Sequence, residues 1–238
     1  KISFFANNIF LSLLIIGLIG LSIRILFLNI EIPMNSDNFL YFRVAVDQSI
    51  GYSSDVDLLA SDGWPMFLSL FFSVFSLNNF IDFMALQKLV SIAISVLTII
   101  PIYFLIKHFF SKQYAALGSA IFIFEPRIIQ NSLFGITEPL NIIAITISLV
   151  LVLNKKYYIQ YISFATISFA TIIRAEGLFL FPIFLIIFLF RSGISKKTFL
   201  HLLIIVLIIT SILLPVSIIR SEKIGQDGFS SRITGGIE

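Results

Sequence analysis

Residues Glu31–Pro65, EIPMNSDNFLYFRVAVDQSIGYSSDVDLLASDGWP, contain Glu31, Asp37, Asp47, Asp55, Asp57 and Asp62, six of the 13 acidic residues in the chain. The stretch follows one long apolar run and precedes several more, so it reads as a loop held at one face of a bilayer by membrane helices. Within it, Asn35-Ser36 offers an N-cap, and Asp37 falls in the first turn of a short helix expected to run to about Gln48. Tyr41 lies four residues after Asp37 and shares its helix face. Phe39, Leu40, Phe42, Val44, Ala45 and Val46 make that helix one that lies on a membrane rather than in water.

Composition sets the class. The chain has 238 residues, a mean hydropathy of +1.03, 58% hydrophobic residues and 12% charged residues. Soluble domains carry about 25% charged residues, and the apolar runs here are long enough to span lipid. The expected fold class is therefore all-α: a polytopic membrane protein of about seven transmembrane helices, with short interfacial helices in its first outer loop. A net charge of +3, widely dispersed, gives no basis for nucleic-acid binding, and the absence of cysteine excludes disulfides and thiolate metal sites. The expected transmembrane domain covers residues 1–219, with the outer loop at 31–84. The polar tail 220–238 reads as an outer loop, and a chain that starts at Lys1 and stops in a polar segment is expected to be part of a longer protein.

Working outward, Ile9–Ile30 is the first expected span, and Arg24 interrupts it about 9 Å from its end. A guanidinium there either faces a partner in the protein or snorkels to the headgroups. Trp64–Leu77 is only about 14 residues, roughly 21 Å as a helix, and is assigned to the interface with Trp64 as an anchor. Further spans are expected at Ala85–Ile106, from Ser111-Lys112 to Phe124, and at Ile136–Leu153, Tyr157–Ile173, Gly177–Phe190 and Phe199–Ile219, with Pro215 kinking the last. With the amino terminus inside, the inner segments hold Lys1, Lys107, Lys112, Lys155, Lys156, Arg191, Lys196 and Lys197 and no acid, and every carboxylate falls outside. That distribution follows the positive-inside rule. Counting Trp64–Leu77 as a span would invert every later loop and spoil it.

Helix length then sinks some of those acids. Lys112 to Glu125 rises about 20 Å and Glu138 to Asn154 about 24 Å, against a hydrocarbon core of about 30 Å. Both glutamates are expected below the outer headgroups, with 126–137 as a recessed loop between them. Charges at that depth persist where they line a watery cavity or are buried in protein. The expected site is a cleft roofed by the first loop and floored by Glu125, Arg127, Glu138, Arg174 and Glu176. Each residue also has a plainer role: Asp37 complementing a helix dipole, Glu125 and Arg127 pairing at a helix end, Glu138 in a first turn, Arg174 anchoring at the interface, Asp55 and Asp57 as solvated loop acids. His108 and His201 fall on the inner side, away from the acids.

Taken in order, SDNFLYFRVA with Asp37, DGWPMFLSLFFSVF, the long span ending in FEP, NSLFGITEPL with Glu138, and TIIRAEGLFLFP with Arg174 resemble the GT-C superfamily of polytopic glycosyltransferases. The resemblance covers roughly residues 10–190 and rests on order and topology. Members usually carry more helices and often a soluble outer domain. The family uses polyprenyl- or dolichyl-phosphate-linked sugars, and includes protein mannosyltransferases and aminoarabinose transferases. The resemblance implies that Asp37 is a general base, acting on a protein, lipid or glycan acceptor with inversion at the sugar. It also implies that Arg43, Arg127 or Arg174 faces the leaving phosphate, which a guanidinium matches bidentately, within about 10–12 Å of Asp37. Tyr41, Asp62 and Glu138 would contact sugar or acceptor. No cofactor is required; one branch of the superfamily uses a divalent metal, and the acids here are too few and too scattered to require one. Two other classes stay open. Submerged charges also mark transporters and channels, although the inner halves of these spans are almost wholly Ile, Leu, Val and Phe. A non-catalytic membrane subunit would keep the same topology.

Overall fold

A computed structural model describes residues 8–30, 36–52, 62–75, 79–193 and 195–224. Glu31, Asp55, Asp57 and the tail beyond 224 lie outside the described residues. Helices dominate what is described: α1 (Ile9–Phe27), α2 (Ser36–Ser49), α3 (Gly63–Val74), α4 (Phe80–Leu97), α5 (Ile99–Phe109), α6 (Lys112–Ile123), α7 (Pro126–Phe134), α8 (Glu138–Val152) and α9 (Tyr157–Ile173). A 3-10 turn (Ala175–Phe179) leads into α10 (Leu180–Ser192), and α11 (Lys196–Ile224) follows. Among the described residues there is no strand.

Four apolar segments are long enough to cross a membrane: Ile9–Phe27, Phe80–Phe109, Ala175–Ser192 and Lys196–Ile219. α3, α8 and α9 are apolar but shorter, at 12, 15 and 17 residues. Length thus supports a multi-pass membrane protein, with fewer full-length spans than the seven expected. Pro215 sits inside α11 without ending it.

Hydrogen bonds between helices set their directions. Arg174, at the end of α9, bonds Glu138 at the start of α8, so these two form an antiparallel pair. Gln87 near the start of α4 bonds the Gly135 carbonyl just before α8, so α4 and α8 both run away from that end. Lys88 bonds the Asn29 carbonyl, which brings the end of α1 there too. At the far end lie the 109–112, 153–156 and 192–196 connections, carrying Lys112, Lys155, Lys156 and Lys196. Asp37, Asp62, Asp82, Glu138 and Glu176 belong to the elements gathered at the Arg174 end.

Two expectations change. The segment 126–137 is largely helical, because Glu125 and Pro126 together start a helix. The Glu125 carboxylate accepts from the Ile128 N–H at 2.7 Å, and Pro126 occupies the first turn, where its missing N–H costs nothing. α7 then ends at Gly135, whose φ of +70° suits a residue without a Cβ. Trp64 is wholly buried rather than anchored at an interface, and its indole N–H donates to the Gly135 carbonyl at 3.0 Å.

Arg24 does not snorkel. Its side chain is fully buried and donates from Nε to Ser132 Oγ at 3.1 Å, from Nη1 to the carbonyls of Gly20 and Ile123 at 3.0 and 3.2 Å, and from Nη2 to Ser95 Oγ at 3.0 Å. Neutral oxygens on α1, α4, α6 and α7 thus converge on one cation. Burial without such partners would be prohibitive.

The core is aromatic and aliphatic. Phe42 meets Phe80 edge-on with ring centroids 4.6 Å apart and leans on Phe72 at 5.8 Å, holding α2 against α3 and α4. Phe164, Phe184 and Phe188 interlock where α9 meets α10. The closest backbone approach is at Gly63, where a Cβ would stand 2.7 Å from the Ile173 nitrogen. Replacing Gly63 by Ala should therefore cost about 1–3 kcal/mol, the usual penalty for overpacking. Gly17→Ala, whose new Cβ would find its nearest neighbour at 3.9 Å, should be tolerated. Thermal unfolding followed by the fluorescence of Trp64, the only tryptophan, measures both.

Candidate functional site

The site begins with the way α2 is docked. Asn38 is buried, and its amide donates to the Phe134 carbonyl at 2.7 Å. Gln87, also buried, donates to the Gly135 carbonyl at 2.7 Å and reaches the Asn38 carbonyl at 3.5 Å. With Trp64 on the same Gly135 oxygen, three side chains from α2, α3 and α4 close on the α7–α8 turn. Asn38, Phe42 and Ala45 lie on the buried face of α2, and Asp37 stays exposed one residue away. The helical period puts Asp37 and Tyr41 on one side and aims them along the rim of the buried contact.

Immediately after that turn come Thr137 and Glu138. Arg174, released from α9 in extended conformation, donates from Nη1 to Glu138 Oε1 at 2.9 Å and to Thr137 Oγ1 at 3.2 Å. Its Nη2 donates to Glu176 Oε1 at 2.8 Å. The hydrogen bond that Arg174 donates to Glu176, then the charges of Glu176 and Glu138, hold its guanidinium protonated above its already high ordinary value, against the opposing effect of partial burial. Gly177 makes this turn tight, since a Cβ there would stand 2.6 Å from Thr171 Oγ1.

Tyr41 joins the two halves. Burial first, then the charge of Asp37, push its hydroxyl above the ordinary tyrosine value. Glu138 and Glu176 push the same way, and Arg174 opposes them. All four charges therefore act on one hydroxyl. Glu138, Arg174 and Glu176 are in direct contact, Thr137 joins them without any sequence signal of its own, and Asp37 and Tyr41 lie within reach of their charges. Asp62, half-exposed, precedes Gly63 and so stands beside the Ile173–Arg174 backbone.

The remaining candidates lie elsewhere. Arg43 is exposed and two residues from Tyr41, which turns it about 200° around α2. Glu125 caps α7, and Arg127 is exposed in the first turn of that helix. Both sit about 13 Å of helix away from the Gly135 turn. The expected floor of five residues thus contracts to Glu138, Arg174 and Glu176. Among the described residues, no three His, Asp or Glu side chains gather closely enough to hold a metal ion.

Asp37, Glu138 and Glu176 against a single Arg174 make the cluster net negative. Such a site suits a hydroxyl or amine that must lose a proton to a carboxylate, with one guanidinium available to an anion. Compared with known proteins, the chain matches no family model, no curated protein and no solved structure.

Tyr41 provides a test of this convergence. Its folded pKa lies above the ordinary 10.0, so between the two values the folded chain keeps a proton that the unfolded chain has lost. Stability tied to Tyr41 is therefore intact below pH 10 and falls as pH rises beyond it. The absorbance titration of the wild type minus that of Tyr41→Phe should show a midpoint above 10. Asp37→Asn and Glu138→Gln should each lower that midpoint; a midpoint unmoved by Glu138→Gln would separate α2 from the α8 start.

Proposed function

We propose that this chain is a membrane glycosyltransferase of GT-C type, transferring a sugar from a polyprenyl-phosphate carrier to a nucleophilic acceptor. The reading rests on one observation above the others: Asp37, on a helix docked by buried hydrogen bonds, and the ion-paired Glu138–Arg174–Glu176 cluster lie close enough for their charges to act on the same Tyr41 hydroxyl. An exposed carboxylate beside a tethered guanidinium, at the end of an apolar helix bundle, suits a reaction between a lipid-phosphate donor and a polar acceptor.

In the proposed step the Asp37 carboxylate takes the proton from the acceptor hydroxyl or amine as that atom bonds to the anomeric carbon. The bond from the anomeric carbon to the phosphate oxygen breaks, and its electron pair leaves with polyprenyl phosphate. One displacement inverts the anomeric configuration. Arg174 is the cation for the leaving phosphate, although two carboxylates already hold it. Glu138 and Thr137 keep one edge of the guanidinium in place. Glu176, 62% exposed at its side chain, is the partner that phosphate displaces. An exposed ion pair is worth only roughly 0–1 kcal/mol, so the exchange costs little. Tyr41 and Asp62 flank the space in which sugar and acceptor would meet.

The same reading completes the topology. The shorter helices α6, α8 and α9 cross together with the four long segments, giving seven passes in a locally thinned or indented membrane. The basic end faces the cytoplasm and the Arg174 end faces outward. The lipid tail of the donor then stays in the bilayer beside the bundle, and its phosphate reaches a site at the rim.

Transfer measured on the full chain in liposomes with a radiolabelled polyprenyl-phosphate sugar tests the proposal. Asp37→Asn should lower kcat about 10²–10⁴-fold, the span expected for losing a general base. Glu176→Gln should leave kcat within a few-fold and should not raise the donor KM. A fully active Asp37→Asn protein would remove the assigned base.

A further inference from the structure

At the opposite end of the bundle, Lys155, Tyr157, Gln160, Arg191 and Ser192 line a cavity of about 210 Å³. That is far more than the roughly 10–15 Å³ one water requires. The start of α9, the end of α10 and the connection that carries Lys155 from α8 to α9 form its walls. Arg191 donates from Nη1 to the Leu153 carbonyl, which fixes the guanidinium against the end of α8 and leaves further N–H groups for a ligand. The Lys155 side chain is exposed beside it. The first turn of α9 lies in the same wall, and the amino-terminal end of a helix favours an anion. Lys156 belongs to the same connection as Lys155, Lys196 and Lys197 stand in the first turn of α11, and no described carboxylate lies in these segments.

Gln160 sharpens the chemistry. It is 1% exposed, and its Nε2 donates to the Asn154 carbonyl at 2.9 Å and to the Val152 carbonyl at 3.5 Å. Its Oε1 is buried with no hydrogen-bond partner. A buried amide oxygen in that state calls for a donor, which a bare phosphate diester does not supply. The cavity thus combines two cations for an anion with one acceptor for a hydroxyl.

We propose that this cavity binds the headgroup of an anionic phospholipid, with its phosphodiester on Lys155 and Arg191 and a headgroup hydroxyl donating to Gln160 Oε1. The cavity opens where the apolar helices α9 and α10 end, so a headgroup reaches it while its acyl chains remain in the bilayer, the arrangement expected of basic pockets between transmembrane helices. The ligand would brace the α8–α9 and α10–α11 connections against each other. The site stands apart from the Asp37 cluster and does not depend on the sugar-transfer reading.

Native mass spectrometry of the detergent-purified full chain, titrated with lipid, tests the proposal. Phosphatidylglycerol should bind more tightly than phosphatidylcholine. Lys155→Gln combined with Arg191→Gln should weaken phosphatidylglycerol about tenfold to thirtyfold, the loss expected from removing two basic contacts. Lys107→Gln combined with Lys112→Gln, which removes equal charge from the same end, should leave binding unchanged. Trp64 fluorescence melting shows whether each variant is folded, and Lys155→Gln alone, in an exposed loop, should still weaken binding if the double variant is unstable. Phosphatidylmethanol, equal in charge but lacking a headgroup hydroxyl, should bind more weakly than phosphatidylglycerol. Equal losses in the two double variants, or equal binding of phosphatidylcholine, would overturn the site. Binding of phosphatidylmethanol as tight as phosphatidylglycerol would overturn the role of Gln160. Displacement by glycerol 3-phosphate at concentrations matching the lipid would assign the cavity to a soluble phosphate and overturn the lipid.

Discussion

The carbonyl oxygen of Gly135 is the point on which the Arg174 half of this molecule turns. It accepts from Trp64 Nε1 and from Gln87 Nε2, while Asn38 takes the neighbouring Phe134 carbonyl. The carbonyls at the end of α7 have no partner within that helix, and in an apolar setting each would be costly to leave unpaired. Meeting that requirement with side chains from α2, α3 and α4 ties the α2–α3 pair to the rest of the helix bundle. Gly135 is itself confined: a Cβ would stand 3.0 Å from the Gln87 side chain, and its φ is left-handed.

Arg24 imposes a second constraint of the same kind. Its four hydrogen bonds go to neutral oxygens, so the guanidinium keeps its charge inside the bundle without a carboxylate beside it. Helices that must each deliver an oxygen to one cation have little freedom to slide. Ser132 is fixed as well, since it donates onward to the Ile129 carbonyl at 2.6 Å. Arg24 and the Gly135 turn thus grip α7 at two successive points. Because α7 leads directly into Thr137 and Glu138, this grip sets where the Arg174 cluster stands relative to α2.

The cluster then divides its labour by exposure. Glu138 and Thr137 hold Arg174 from the half-buried side and Glu176 from the solvent side. A carboxylate bound at the surface is easily exchanged, whereas one fixed at the start of a docked helix is not. Proposed chemistry at one end and proposed lipid binding at the other both use arginines already hydrogen-bonded to the protein. Such arginines are oriented before a ligand arrives, which reduces the entropy lost on binding.

Period, length and charge reach a long way in this sequence. Apolar runs mark the helices because backbone polar groups in lipid must pair within their own segment, and unbalanced Lys and Arg mark one end of the bundle. Tyr41 follows Asp37 by one helical turn, and Arg174 and Glu176 flank one residue, so those pairs are local facts of the chain. α7 is legible in Glu125-Pro126, a cap followed by a proline. What linear order could not decide is which distant groups satisfy each other. Arg24 with Ser95, Ile123 and Ser132, Trp64 with Gly135, and Glu138 with Arg174 are separated by 36 to 108 residues. Such pairs form because the fold leaves each buried donor few acceptors within reach, and that choice exists only once the helices are packed.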